Sequence, residues 1–125
     1  MPHVPELTLN SGATIPQVGL GTYRIDDADA ERVVADAIAA GYRHIDTAAI
    51  YDNEAGVGRG LQASGLARED LFVTTKLWNT EQGRHEPRAA LHASLERLGL
   101  DYVDLYLIHW PCPTRDRYVD SWAAL

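Results

Sequence analysis

Four short apolar runs recur at nearly even spacing, and that recurrence constrains the fold more than any other property of the chain. The runs are Val18–Thr22, Tyr42–Thr47, Leu71–Leu77 and Tyr102–Trp110. Their starts lie 24, 29 and 31 residues apart, at positions 18, 42, 71 and 102. Each is short and rich in β-branched, aromatic or leucine residues, as strands are.

Helical patterns fill the intervals. The first opens on Asp26, Asp27, Asp29 and Glu31, acidic residues that suit the positive end of a helix dipole. It continues with Val33, Val34, Ala37 and Ile38 at helical spacing and stops at Gly41. The second runs from Asn53 to about Ser64 despite Gly56, Gly58 and Gly60, each costing about 1 kcal/mol against alanine in a helix interior. The third opens near Pro87, carries Leu91, Leu95 and Leu98, and ends at Gly99. Alternation of this kind predicts an α/β fold with a parallel sheet and right-handed crossovers. The steps are the lengths of βα units, and a closed (β/α)₈ TIM barrel needs eight of them in about 250 residues. Residues 1–125 therefore read as one partial domain, the N-terminal half of such a barrel. A short β-hairpin precedes it, with Leu7-Thr8-Leu9 and Ala13-Thr14-Ile15 as arms and Gly12 free to take a positive φ. Arg117–Leu125 reads as a helix that ends without a cap, with Tyr118 and Trp122 on one face, which leads us to expect more chain beyond it.

Composition excludes several function classes. A formal net charge of −7 does not favour nucleic acid, whose phosphates call for a basic surface. No apolar run approaches the roughly 18–20 residues of a membrane span, and Met1-Pro2-His3-Val4-Pro5 lacks the pattern of a secretory leader. A single cysteine, Cys112, has no internal partner, which fits a reducing cytoplasm.

The chemistry is concentrated at the strand ends. Three apolar strands each finish on one ionisable residue: Ile45 leads to Asp46, Val73-Thr74-Thr75 to Lys76, and Leu107-Ile108 to His109. With a side-chain period of two, His109 shares its face with Leu107, Leu105 and Val103, an apolar set suited to a barrel interior. Lys76 likewise shares a face with Thr74 and Phe72, and Asp46 with His44. Active sites of barrels lie where strands end, so all three converge on one mouth. Tyr51 follows Asp46 by five residues, in a loop over that mouth. A free phenol titrates near pH 10, so at neutral pH it is a poor acid unless its anion is stabilised. Lys76 could supply the stabilising charge, with Asp46 keeping Lys76 protonated. Taken singly, each of these residues is more simply a solvated strand end or a packed surface tyrosine; it is their combination that points to a proton donor.

Four segments together resemble the aldo-keto reductase family. Gly41-Tyr42-Arg43-His44-Ile45-Asp46-Thr47-Ala48 with Tyr51-x-Asn53-Glu54 is similar to the signature around that family's catalytic aspartate and tyrosine. Thr74-Thr75-Lys76-Leu77-Trp78 resembles the lysine segment, and Asp104–Pro111 the histidine segment. Gly19-Leu20-Gly21-Thr22-Tyr23 looks like the first strand. The resemblance spans Leu7 to Leu125 and implies NADPH-dependent reduction of a small-molecule carbonyl, with Asp46, Tyr51, Lys76 and His109 as catalytic tetrad. It further implies Gly21, Thr22 and Asp46 at the nicotinamide-ribose end of the cofactor, and Tyr23, Trp78, His109 and Trp110 around the substrate. In wording the motifs are nearest the bacterial branch that resembles 2,5-diketo-gluconate reductases, acting on small aldehydes, keto-sugars and diketones. The full-length parent is expected to be monomeric, and the chain alone to be inactive and to self-associate through its open edges. The preference for NADPH over NADH rests on the resemblance alone, because barrel phosphate sites usually come from loops after strands seven and eight.

Other patterns carry less. Gly19-x-Gly21 and Gly56-x-Gly58-x-Gly60 lack the third glycine of a dinucleotide fingerprint, since Arg24 and Leu61 stand there. His44 reads as a satisfied core histidine, His85 and His92 as solvated helix residues, and Cys112 as a loop residue. Tyr23 is a rival proton donor, without the close spacing to Asp46. A catalytically silent binding or regulatory module and a self-associating half-barrel remain as alternative functions.

Overall fold

The computed structural model describes residues 4–125; Met1-Pro2-His3, read above for a leader pattern, lie outside the described residues. β1 (Glu6–Thr8) and β2 (Thr14–Pro16) form the antiparallel hairpin, with Gly12 at φ +86° in its turn. Four parallel strands follow in sequential order: β3 (Leu20–Gly21), β4 (His44–Asp46), β5 (Phe72–Leu77) and β6 (Leu105–Ile108). Between them lie α1 (Asp27–Ala39), α2 (Glu54–Ala63) and α3 (Glu86–Leu98), and α4 (Tyr118–Ala124) follows β6. Among the described residues, no helix is long and apolar enough to cross a membrane.

The strands are shorter than their apolar runs, for local reasons. The Tyr42 N–H is taken by the Ala37 carbonyl in closing α1, so β4 starts later. At β6 the Asp104 carboxylate accepts the Val73 N–H at 2.8 Å, a side chain standing where ladder pairing would begin.

Strand register sorts the side chains into two faces. Ile45 pairs with Val73, and both turn toward the helices. There they join Ala30, Val34, Ile38, Val57, Leu61, Leu71 and Leu98 in one buried core. Each valine, leucine or isoleucine among them, fully buried, contributes about 1.5–3 kcal/mol. On the opposite face Asp46 pairs with Thr74, Thr74 with Leu105, and Lys76 with Leu107. That face is open: Leu107 keeps 37% of its surface exposed.

The three glycines of α2 have a steric reason. A Cβ on Gly56 would strike the Asp27 carbonyl of α1, and one on Gly58 the Leu98 carbonyl of α3. At Gly60 it would stand 2.6 Å from Val34 Cβ. The helix gives up propensity so that its neighbours can approach its backbone.

Two helices bury a small polar residue in preference to larger apolar ones. In α3 the buried stripe is Pro87, Ala90, Ser94 and Leu98, while Leu91 and Leu95 are only half-buried. Ser94 lies inside because its hydroxyl meets a buried carboxylate, a pairing that leucine counting does not register. In α4 the shared face of Tyr118 and Trp122 is exposed, and the buried residue is Ser121, whose hydroxyl accepts the Gly83 N–H at 3.0 Å.

Candidate active site

The carboxyl ends of β4, β5 and β6 bring Asp46, Lys76 and His109 to one rim, and a short 3-10 turn, Ala49–Tyr51, carries Tyr51 over it. The Lys76 ammonium donates to Asp46 Oδ1 and, at 2.8 Å, to the Thr47 carbonyl. It lies 5.2 Å from the centroid of the Tyr51 ring. The His109 ring meets Tyr51 edge to face at 5.7 Å and Trp78 at 5.4 Å. All four residues proposed from the sequence as catalytic thus share one cluster.

Burial, then the Lys76 charge, holds the His109 imidazole below its ordinary pKa, with Asp46 pulling the other way. The ring is therefore neutral near pH 7, with one N–H donor to offer. His109 Nδ1 is buried without a protein partner.

Of the residues expected around the substrate, Trp78 is half-buried, whereas Tyr23 and Trp110 are 63% and 58% exposed. Tyr23 leans on Tyr51 at 5.1 Å, and Trp110 stacks on His109 with planes 13° apart. They form one wall of an open mouth rather than an enclosed pocket.

Gly21 and Asp46 are register partners on adjacent strands. A Cβ on Gly21 would meet nothing within 4 Å, which leaves space beside the carboxylate. Thr22 differs from the expectation. It is wholly buried, its hydroxyl bonds Thr47 Oγ1 at 2.9 Å, and its carbonyl accepts Asn53 Nδ2 at 2.8 Å. Its polar groups are spent inside the protein, so it supports the mouth from behind instead of lining it.

Several buried polar residues here escaped the sequence reading as site residues. Thr47, Asn53 and Glu54 are each at most 1% exposed and hydrogen-bonded around the Tyr51 turn. For Asn53 and Glu54 the visible signal was their place in the Tyr51-x-Asn53-Glu54 string at the start of α2. His44 behaves as expected, with Nε2 3.0 Å from Thr74 Oγ1 and burial holding its pKa down. His85 and His92 are exposed.

A sequence model described as "Aldo/keto reductase family" matches residues 16–125. The chain belongs to that family. An aldo-keto reductase of Mycolicibacterium smegmatis is 56% identical over 120 residues, 96% of this chain and 44% of the relative. Methylglyoxal reductase DkgA of Yersinia pestis is 53% identical over 121 residues, 97% of this chain and 43% of that protein. Among solved structures, an aldo/keto reductase from Brucella melitensis superposes with a TM-score of 0.94 at 52% identity, covering 98% of this chain and 47% of that one. The fold is accordingly the N-terminal half of an aldo-keto reductase barrel, and the chain spans less than half the length of the relatives it matches.

Proposed function

We propose that the protein carrying this chain reduces aldehydes and ketones to alcohols with NADPH, and that Tyr51 is its general acid. The observation behind this reading is the Lys76 ammonium, which spends two of its three N–H donors on Asp46 and Thr47 and stands 5.2 Å from the Tyr51 ring. NADPH supplies the hydride. The open space at Gly21 and the half-exposed Asp46 carboxylate fit the nicotinamide-ribose end, with Thr22 behind them. A Bombyx mori aldo-keto reductase, 45% identical to this chain, was solved in complex with NADP, which supports the choice of cofactor. The name of the Yersinia pestis relative supports a small carbonyl substrate.

The chain's own residues then have distinct tasks. Neutral His109 donates a hydrogen bond to the carbonyl oxygen and orients it. As negative charge gathers on that oxygen, the Tyr51 hydroxyl gives it a proton, and Lys76 stabilises the phenolate left behind. Asp46 and the Thr47 carbonyl hold Lys76 in place, while Trp78, Tyr23 and Trp110 keep water from one side of the mouth. Tyr51→Phe should lower kcat by roughly 10²–10⁴-fold, the usual worth of a general acid, with cofactor affinity unchanged. Near-normal turnover in that variant would make Tyr23 the better candidate.

For the 125 residues by themselves we propose a different behaviour. Barrel phosphate sites usually come from loops after strands seven and eight, and the described residues form four parallel strands, so the isolated chain should show no turnover. Leu107, Trp110, Val119, Trp122 and Leu125 are all exposed, and β6 is an edge strand of the sheet, which favours self-association. Analytical ultracentrifugation of the isolated chain should detect dimers or larger species at tens of micromolar; a cooperatively unfolding monomer is the contrary result. Cytoplasmic residence, suggested by the lone cysteine, belongs to the same proposal.

A further inference from the structure

Asp46 and Lys76 lie on strands, and the backbone N–H of His109 continues the β5–β6 ladder by donating to the Leu77 carbonyl. Tyr51 has no such support. It sits on a single 3-10 turn, followed by Asp52 in the left-handed region at φ 56°. Nothing in that turn alone fixes the distance between the phenol and the Lys76 ammonium.

The residues just after the turn do fix it. Asn53 donates to the carbonyls of Thr22 and Ile25, both at 2.8 Å, and so ties the turn to the end of β3. Glu54, 1% exposed, ties it to β5 and α3. Its Oε2 accepts the Thr75 hydroxyl at 2.8 Å. Its Oε1 accepts Ser94 Oγ at 3.2 Å, Arg97 Nε at 3.0 Å and Arg97 Nη2 at 2.8 Å. Thr75 immediately precedes Lys76, with its side chain toward the helices while that of Lys76 faces the mouth. One hydrogen bond therefore links a point three residues after Tyr51 to a point one residue before Lys76.

An ion pair between buried Glu54 and half-exposed Arg97 is a weak route to stability, since solvent screens one partner and burial of the other costs desolvation. What a satisfied carboxylate with four directed donors does give is a fixed place for the backbone on either side of it.

We propose that Glu54 is a positioning residue, which acts through Thr75 to set Tyr51 against Lys76. The inference rests on the reading of Tyr51 as general acid. Ser94 and Arg97 hold the carboxylate in the rotamer that reaches Thr75, and Asn53 anchors the other side of the turn.

The test is Thr75→Val in the full-length enzyme, which removes one hydroxyl at nearly constant volume and leaves Glu54 with Ser94 and Arg97. Glu54→Gln is the harsher companion, because it strips Arg97 of its charge partner and could impair folding. Small displacements of reacting groups cost rate steeply. Thr75→Val should lower kcat by about tenfold or more with KM and cofactor affinity near wild type, beyond the modest fall in melting temperature expected from leaving Glu54 Oε2 without its donor, and Thr75→Ser should restore kcat. The proposal is overturned if kcat of Thr75→Val stays within about twofold of wild type, if Thr75→Ser fails to restore it, or if the loss only follows a fall in melting temperature. Tyr51→Phe, assayed beside them, separates the two claims. An inactive Tyr51→Phe with a normal Thr75→Val removes only the positioning role, whereas an active Tyr51→Phe removes the general-acid reading and this inference with it.

Discussion

The two rims of the sheet carry the same three kinds of side chain, a cation, a carboxylate and a tyrosine, and use them differently. At the carboxyl rim these are Lys76, Asp46 and Tyr51; at the amino rim they are Arg68, Asp104 and Tyr102. Arg68 Nη2 bonds Asp104 Oδ2 at 2.6 Å, and its guanidinium lies 4.0 Å over the Tyr102 ring. Its other bonds go to backbone, 2.7 Å to the Leu71 carbonyl and 3.0 Å to that of Tyr102, while Asp104 also holds the Val73 N–H. The trio closes loops around the start of β5. At the upper rim Lys76 instead keeps a donor free beside a phenol, with a neutral histidine edge-on to the same ring. Residue types do not tell the two apart. What does is the strand end they occupy and where the unspent donor lies: Arg68 Nε is buried without a partner, whereas Lys76 stands beside a phenol at the mouth, the amino face of a barrel being its stability face.

Replacing the two cations in turn gives the sharpest test of that contrast. Lys76→Met should lower turnover by about two orders of magnitude or more. The ammonium proposed to stabilise the phenolate is gone, so on that reading the proton is harder to give up. Arg68→Met should leave kcat and KM alone while costing about 2 kcal/mol in urea unfolding, because Asp104 and two carbonyls lose a donor. Equal losses of turnover from both substitutions would erase the distinction between the rims.

Much of this was legible in the sequence. Period-two alternation before Asp46, Lys76 and His109 was enough to bring those side chains to one rim, because strand geometry is nearly independent of context. The helix positions followed from Gly41, Pro87 and Gly99 with the same economy. Ser94, Thr47 and Glu54 were not legible as buried residues, since only a tertiary partner makes a polar residue worth burying. Thr22 was misjudged for the same reason: nothing in its neighbourhood along the chain announces that Thr47 and Asn53 will take its hydroxyl and carbonyl. The exposure of Tyr118 and Trp122 likewise depends on what packs against α4, which helical spacing does not contain.

A smaller effect should separate the rims by titration. Burial and then Lys76 keep the His109 pKa below its ordinary value, so Lys76→Met should move its NMR midpoint upward, still short of that value because the burial remains. Arg68→Met should leave it where it was. The sign carries over to stability. The folded imidazole binds a proton less readily than the unfolded chain does, so below the ordinary histidine range the unfolded state holds more protons. Stability should therefore fall as pH drops from that range to the lowered folded value, and His44, shifted the same way by burial, adds to the slope. Urea unfolding of His109→Asn across this interval should show a shallower dependence. An unchanged slope would mean that His109 titrates alike in both states.

The smallest expected effect belongs to the lower tyrosine. Tyr102 is 45% exposed and offers Arg68 two things, a ring face at 4.0 Å and a backbone carbonyl at 3.0 Å. Neither involves the hydroxyl. Tyr102→Phe preserves both, since a phenyl ring still attracts a guanidinium and the backbone is untouched. Its stability should stay within about 0.5 kcal/mol of wild type, as for most exposed substitutions. Its turnover should be unchanged as well. The same one-atom deletion at Tyr51 removes the proton that the reaction is proposed to consume. Assaying Tyr51→Phe and Tyr102→Phe in parallel therefore isolates the oxygen atom from ring packing at both rims. A measurable loss of activity in Tyr102→Phe would show that the amino rim reaches the mouth through β5, and the two trios would then have to be treated as one coupled system.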